Sequence, residues 1–134
     1  MEIREIQPAE YKAAQRLLID NDFGSRVADP EQFRELVVRA QMALVAIESG
    51  AVIGFARAIT DGVSNGYVSL LVVDEAHRRK GIGRALMAKL MGSDRRLTWV
   101  LRASRPDARA FYERLGFTSS TVAMERLREK QSDT

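Results

Sequence analysis

Apolar side chains recur along this sequence at two different spacings, and each change of spacing predicts a new element. Ile3 and Ile6 lie in a short opening stretch closed by Gln7-Pro8, which predicts a first strand ended by a residue that cannot donate to a ladder. Tyr11, Ala14, Leu17 and Leu18 then recur at helical spacing until the loop-forming cluster Asp20-Asn21-Asp22. Asp29 as a cap, Pro30 at the first helical position and Phe33, Leu36, Val37 and Ala40 on one stripe predict a second helix. Residues 42–48 and 51–60 predict two strands joined by the tight turn Ser49-Gly50. Residues 67–73 are nearly all apolar, as expected of a strand buried on both faces and central in its sheet. Over residues 81–91, Ile82, Ala85, Leu86 and Leu90 fall on one helical stripe, ended by Gly92-Ser93-Asp94, and residues 97–103 return to strand composition. Pro106-Asp107 opens a last helix carrying Ala108, Phe111, Tyr112 and Leu115, stopped at Gly116. A final strand is expected over 117–127, followed by a polar tail, 128–134.

The order strand, two helices, three strands, helix, strand, helix, strand predicts a mixed α/β or α+β fold built on a single sheet with helices on its faces. At 134 residues, 46% hydrophobic and 29% charged, the chain has the size and composition of one globular domain, and disordered or fibrous architectures are excluded. Charged residues interrupt every apolar stretch before it reaches membrane-spanning length, and the opening Met1-Glu2-Ile3-Arg4-Glu5 has no secretory core, so the expected setting is cytoplasmic, away from membranes. With no cysteine and one histidine, His77, disulfides, thiol catalysis and the usual zinc arrangements drop out, and no bound metal is expected. The net charge of +3 is modest. Its location matters more, because Arg78, Arg79, Lys80 and Arg84 crowd around Gly81 and Gly83.

That crowding falls where an apolar strand runs through a basic glycine loop into a helix, an arrangement suited to phosphate. Glycines let the backbone approach a ligand, the free N–H groups of a helix's first turn sit beside a positive dipole end, and basic side chains add charge. A P-loop would need Gly-Lys-Ser/Thr where Gly83-Arg84-Ala85 stands, and a dinucleotide fingerprint would need a third small residue where Leu86 stands. Basic charge without interleaved aromatics also argues against nucleic acid as a partner.

Arg78-Arg79-Lys80-Gly81-Ile82-Gly83 resembles the Gln/Arg-x-x-Gly-x-Gly/Ala signature of the GNAT superfamily of N-acetyltransferases. A second segment, Ala108 to Phe117, resembles that family's late Ala-x-x-Phe-Tyr-x-x-x-Gly-Phe motif. The resemblance in element order extends over residues 1–127, although only the half after Tyr67 carries specific motifs. It implies a GNAT-like acyl-CoA N-acyltransferase fold, a single mostly antiparallel sheet with about four helices, and an enzyme that moves the acetyl group of acetyl-CoA directly to an amine of a small molecule, peptide or protein. By position, backbone amides from Arg79 to Arg84 would hold the pyrophosphate. Leu71, Val72 and Val73 would pair with the pantetheine arm, with one amide facing the thioester oxygen, and Tyr112 would be the general acid.

The pattern is not complete. Arg105 stands where many relatives have Asn, and is expected to reach a phosphate instead. Val100 stands where some relatives carry a glutamate base, so the proton would leave by water. His77 is read as structural. Asp20, Asp22, Phe23, Phe55, Arg57 and Asp61 are the expected contributors to the acceptor site, and their mixed signs name no acceptor. A non-catalytic acyl-CoA-binding sensor or interaction module is the alternative function. A homodimer through an exposed edge at 122–127 is expected as well.

Overall fold

A computed structural model describes residues 1–129, so the last five residues of the polar tail lie outside the described residues. The chain divides into two units, Met1–Arg102 and the segment from Ala103 onward. The first contains a five-stranded mixed sheet in the order β1-β2-β3-β4-β5, formed by β1 (Glu2–Glu5), β2 (Met42–Glu48), β3 (Ala51–Thr60), β4 (Asn65–Val73) and β5 (Thr98–Leu101). Three of its pairings are antiparallel, and β4 with β5 is the parallel one. Helices α1 (Tyr11–Leu18), α2 (Gly24–Val27), α3 (Pro30–Arg39) and α4 (Ile82–Met91) belong to the same unit. The short α2 has too few residues for a periodic signal, which is why the sequence pattern does not show it.

The core lies between the sheet and α1 to α3, where Leu17, Leu18, Val27, Phe33 and Val37 meet Val45, Phe55, Leu70 and Val72. Phe33 and Phe55 pack with their rings tilted by 50° at a centroid distance of 5.8 Å. On the opposite face, the buried Leu86 of α4 comes so close to Gly54 that a Cβ there would stand 3.0 Å from Leu86 Cδ1. Asp29 caps α3 by accepting from Glu31 N–H, with Pro30 following as the sequence predicts. At the other end of the sheet, Arg4 grips Glu10 through Nη1 and Nη2, and the Glu10 carboxylate also accepts from Gln7 N–H. Arg4 holds the Glu10 carboxyl below its ordinary value.

Two expectations require correction. The middle strand is β3, not the 67–73 strand, and β4 alternates buried and half-buried positions instead of being covered on both faces. No strand forms over 117–127 among the described residues. Ser120 Oγ accepts from Val122 N–H at 3.1 Å and from Ala123 N–H at 2.8 Å, consuming donors that a ladder would use. Val122, Met124 and Leu127 are accordingly exposed and unpaired, and the edge-strand ground for a homodimer disappears with the strand. The described helices are no longer than 10 residues, and none is long and apolar enough to cross a membrane.

Gly66 on β4 lies directly under the indole of Trp99 on β5, whose buried Nε1 has no hydrogen-bond partner among the described residues. A Cβ at position 66 would stand inside contact distance of three indole carbons. Gly66→Ala should therefore destabilise the protein by about 1–3 kcal/mol, the usual cost of overpacking, measured by denaturant unfolding.

Candidate functional site

In the first unit, β4 keeps different lengths of ladder on its two sides. Its pairing with β3 continues to Gly54↔Val73, whereas its pairing with β5 ends at Val68↔Leu101. From Ser69 to Val73 the edge away from β3 has no strand partner among the described residues, and Leu71, Val72 and Val73 lie within it. The departure coincides with a bulge. Arg57 pairs with Leu70 and Ala58 with Val68, leaving Ser69 as the extra residue. Ser69 is the only polar side chain in the apolar run 67–73, and that interruption was the one sequence signal of the bulge.

Arg57 fastens the bulge from the core side. It is 8% exposed, donates from Nη1 to Ser69 Oγ at 2.8 Å and from Nε to the Leu36 carbonyl at 2.7 Å. Burial and the nearby Arg26 lower its pKa from the ordinary arginine value.

At the far end of β4 the basic loop begins. Asp74 N–H donates to Ile53 O at 2.8 Å, and a single helical turn, Glu75–His77, follows. His77 is clamped between carboxylates, with Nδ1 at 2.8 Å from Asp74 Oδ2 and Nε2 at 3.8 Å from Glu48 Oε2, so its ring ties this turn to the end of β2. Arg78 folds back, donating to Val73 O at 3.1 Å and to Asn21 Oδ1 in the loop after α1. Its guanidinium thus joins the glycine loop to that earlier loop, a role sequence spacing does not reveal. Arg79 (φ 65°) and Gly81 (φ 79°) both adopt left-handed backbone, turning the chain sharply into α4. The first ladder bond of α4 is Ala85 N–H to Gly81 O at 3.0 Å, so the N–H groups of Ile82, Gly83 and Arg84 precede the helix's own acceptors. Ile82 is buried and anchors that turn, while Arg79, Lys80 and Arg84 are exposed and make no ion pair among the described residues.

Of the expected acceptor residues, Phe55 is fully buried in the core, and Phe23 is half-buried against it. Asp61 is committed to its own turn, accepting from the N–H groups of Val63, Ser64 and Asn65 and from the Ser64 hydroxyl, which holds its carboxyl far below the ordinary range. Asp20 pairs with Arg16 at 3.4 Å, and Asp22 is exposed at φ 72° where the helix breaks. Val100 pairs with Tyr67, near the end of β4 remote from the glycine loop.

The second unit carries α5 (Pro106–Arg114). Arg105 precedes it in extended backbone, exposed, with its Nε 3.8 Å from Asp107. Tyr112 is half-buried between Phe111 and Phe117, ring centroids 5.1 and 5.8 Å away in edge-to-face contact. Burial raises its pKa above the ordinary phenol value, and its hydroxyl makes no hydrogen bond among the described residues. The Tyr112 carbonyl accepts from Leu115 and Phe117 N–H groups, and Gly116 supplies the positive φ of 97° that ends the helix.

The family model for the acetyltransferase (GNAT) domain matches residues 39–119, more than half of the chain. No curated protein matches the sequence. Among solved structures, the chain is similar to a ribosomal-protein-alanine N-acetyltransferase from Brucella melitensis biovar Abortus 2308, at 26% identity and TM-score 0.74, covering 96% of this chain and 100% of that one. It is similar to a GNAT family acetyltransferase from Streptococcus pneumoniae TIGR4 in fold, at 23% identity and TM-score 0.75, covering 96% and 97%. An aminoglycoside 6'-N-acetyltransferase complexed with coenzyme A is similar at 25% identity and TM-score 0.57, covering 67% of this chain and 53% of that one.

Proposed function

The chain belongs to the GNAT acetyltransferase family, and we propose that it transfers the acetyl group of acetyl-CoA directly to an amine, through a domain spanning residues 1–127. The observation that carries this reading is the unpartnered edge of β4, running from the bulge at Ser69 to a glycine loop with three cations that have no ion-pair partner among the described residues. An extended, thin ligand arm with a polyanionic end fits that combination of backbone edge and positive helix terminus. The likeness to an N-acetyltransferase structure complexed with coenzyme A supports the same donor.

The residues divide the work as follows. Amides from Arg79 to Arg84, with the side chains of Arg79, Lys80 and Arg84, hold the pyrophosphate, and the exposed Arg105 takes a further phosphate. Arg78, already bonded to Val73 O and Asn21, keeps the loop in place. Backbone groups of Leu71, Val72 and Val73 receive the pantetheine arm, and an amide there donates toward the thioester oxygen, on which negative charge grows as the amine attacks. Acetyl-CoA supplies an activated acyl carbon and a thiolate leaving group. Tyr112, whose phenol is raised by burial from its ordinary value and so carries its proton at neutral pH, donates that proton to the departing sulfur. Water accepts the amine's proton, because Val100 offers no carboxylate.

The reading is tested by thiol release from acetyl-CoA across an amine panel, with amine-dependent turnover expected. Gly83→Glu places bulk and negative charge among the phosphate-binding amides, and it should abolish acetyl-CoA binding by calorimetry while circular dichroism stays native. Tyr112→Phe keeps the ring in edge-to-face contact with Phe111 and Phe117 and removes only the proton donor. Turnover should fall about 10²- to 10⁴-fold where thiolate departure limits the rate, with acetyl-CoA affinity little changed. Retention of full turnover under chemistry-limited conditions would make Tyr112 a packing aromatic.

A further inference from the structure

We propose that Arg57 recognises a carboxylate on the acceptor, so that the amines this chain acetylates are small amines that carry a carboxylate group. The proposal rests on the acetyltransferase reading and adds the acceptor's chemical class to it.

A guanidinium carries five N–H donors and a fixed positive charge. In Arg57, Nε is used by Leu36 O and one Nη1 donor by Ser69 Oγ, so three donors have no acceptor among the described residues. The residue is only 8% exposed and no carboxylate pairs with it, while Nη2, the nitrogen with no partner among the described residues, keeps access to solvent. A buried charge is normally paired, because desolvation costs far more than a weak contact returns. The charge that acts on it is instead a second cation, Arg26, on α2. Two positive charges with no counter-charge make a locus that an anion would relieve.

The position is suited to an acceptor. Arg57 touches Ser69, the residue at which β4 leaves β5 and its unpartnered edge begins. The backbone edge proposed for the donor therefore starts one side chain away from the unpaired guanidinium. The two bonds to Leu36 and Ser69 fix the plane of the guanidinium, leaving its remaining fork preorganised for the two oxygens of a carboxylate.

The test uses matched pairs in which an amine bearing a carboxylate is compared with its primary amide at equal free-amine concentration: glycine with glycinamide, β-alanine and γ-aminobutyrate with their amides. At least one pair should favour the carboxylate about tenfold or more in kcat/KM, expressed mainly in KM, as expected for a charge-assisted hydrogen bond. Arg57→Gln should abolish that preference and Arg57→Lys should restore part of it. Because Arg57→Gln also removes the tie to the bulge, Arg26→Gln serves as the second variant. It is exposed, leaves the Leu36 and Ser69 bonds intact, and should reduce the preference a few-fold in a protein of unchanged stability. Independently of turnover, the Arg57 Nε–H resonance of wild-type protein with coenzyme A should shift on titration with the preferred carboxylate and not with its amide. If no pair differs by more than twofold, or if the resonance is unmoved by all three carboxylates, the proposal is overturned. Calorimetry of acetyl-CoA on the same sample reports on the acetyltransferase reading separately, since failure to bind acetyl-CoA sinks that reading while the resonance still decides the carboxylate site.

Discussion

A strand shared by two neighbours that diverge must lose register with one of them, and in this fold the loss occurs at Ser69. The extra residue lets β4 stay paired with β3 as far as Val73 while its ladder with β5 ends at Val68. A bulge is not stable merely because it is useful, since it leaves a residue outside the ladder. Here the Ser69 hydroxyl accepts from Arg57, whose Nε is held in turn by the carbonyl of Leu36 in α3. The geometry of the strand edge thus depends on a buried side chain reaching back to a helix, and core packing and site geometry are not separable at this point.

Charge is distributed unevenly to the same end. Elsewhere in the first unit several cations have carboxylate partners: Arg4 with Glu2 and Glu10, Arg16 with Asp20, Arg39 with Glu35, Arg96 with Asp94. In the glycine loop Arg79, Lys80 and Arg84, close together in sequence, have none among the described residues. Like charges held together repel, a cost that a polyanion removes. The loop's backbone is shaped by Gly81 and by Arg79, the latter a non-glycine residue in left-handed conformation, and strain of that kind gathers at binding loops.

Much of this was legible in the sequence, because periodicity and turn residues agreed. The bounds of β2 and β3 and the cap of α3 follow directly from the apolar runs, Ser49-Gly50 and Asp29-Pro30. The glycine loop was legible because glycine and basic residues have few reasons to alternate there. Other features were not, for identifiable reasons. Strand order within a sheet is a long-range property, so nothing local in residues 67–73 told that β3, and not β4, lies in the middle. The apolar spacing of Val122, Met124 and Leu127 resembled a strand, but Ser120 turned the backbone locally first. Arg57 was one charged residue among several on the sequence, and only its burial without a carboxylate distinguishes it.

The length of the unpartnered edge has a consequence for the protein's solubility. Ser69 to Val73 is five residues, about 16 Å of strand at the usual rise, bounded by the bulge at one end and at the other by Arg78 donating to the Val73 carbonyl. An exposed strand edge is ordinarily a template on which another copy of the chain can add, and proteins blunt such edges by keeping them short, kinked or charged. This one is all three, with cations waiting where a second strand would continue. An edge of that reach admits a narrow extended molecule but is poorly suited to adding a second copy of the chain, so under the proposed function the opening that would serve binding is also guarded against aggregation.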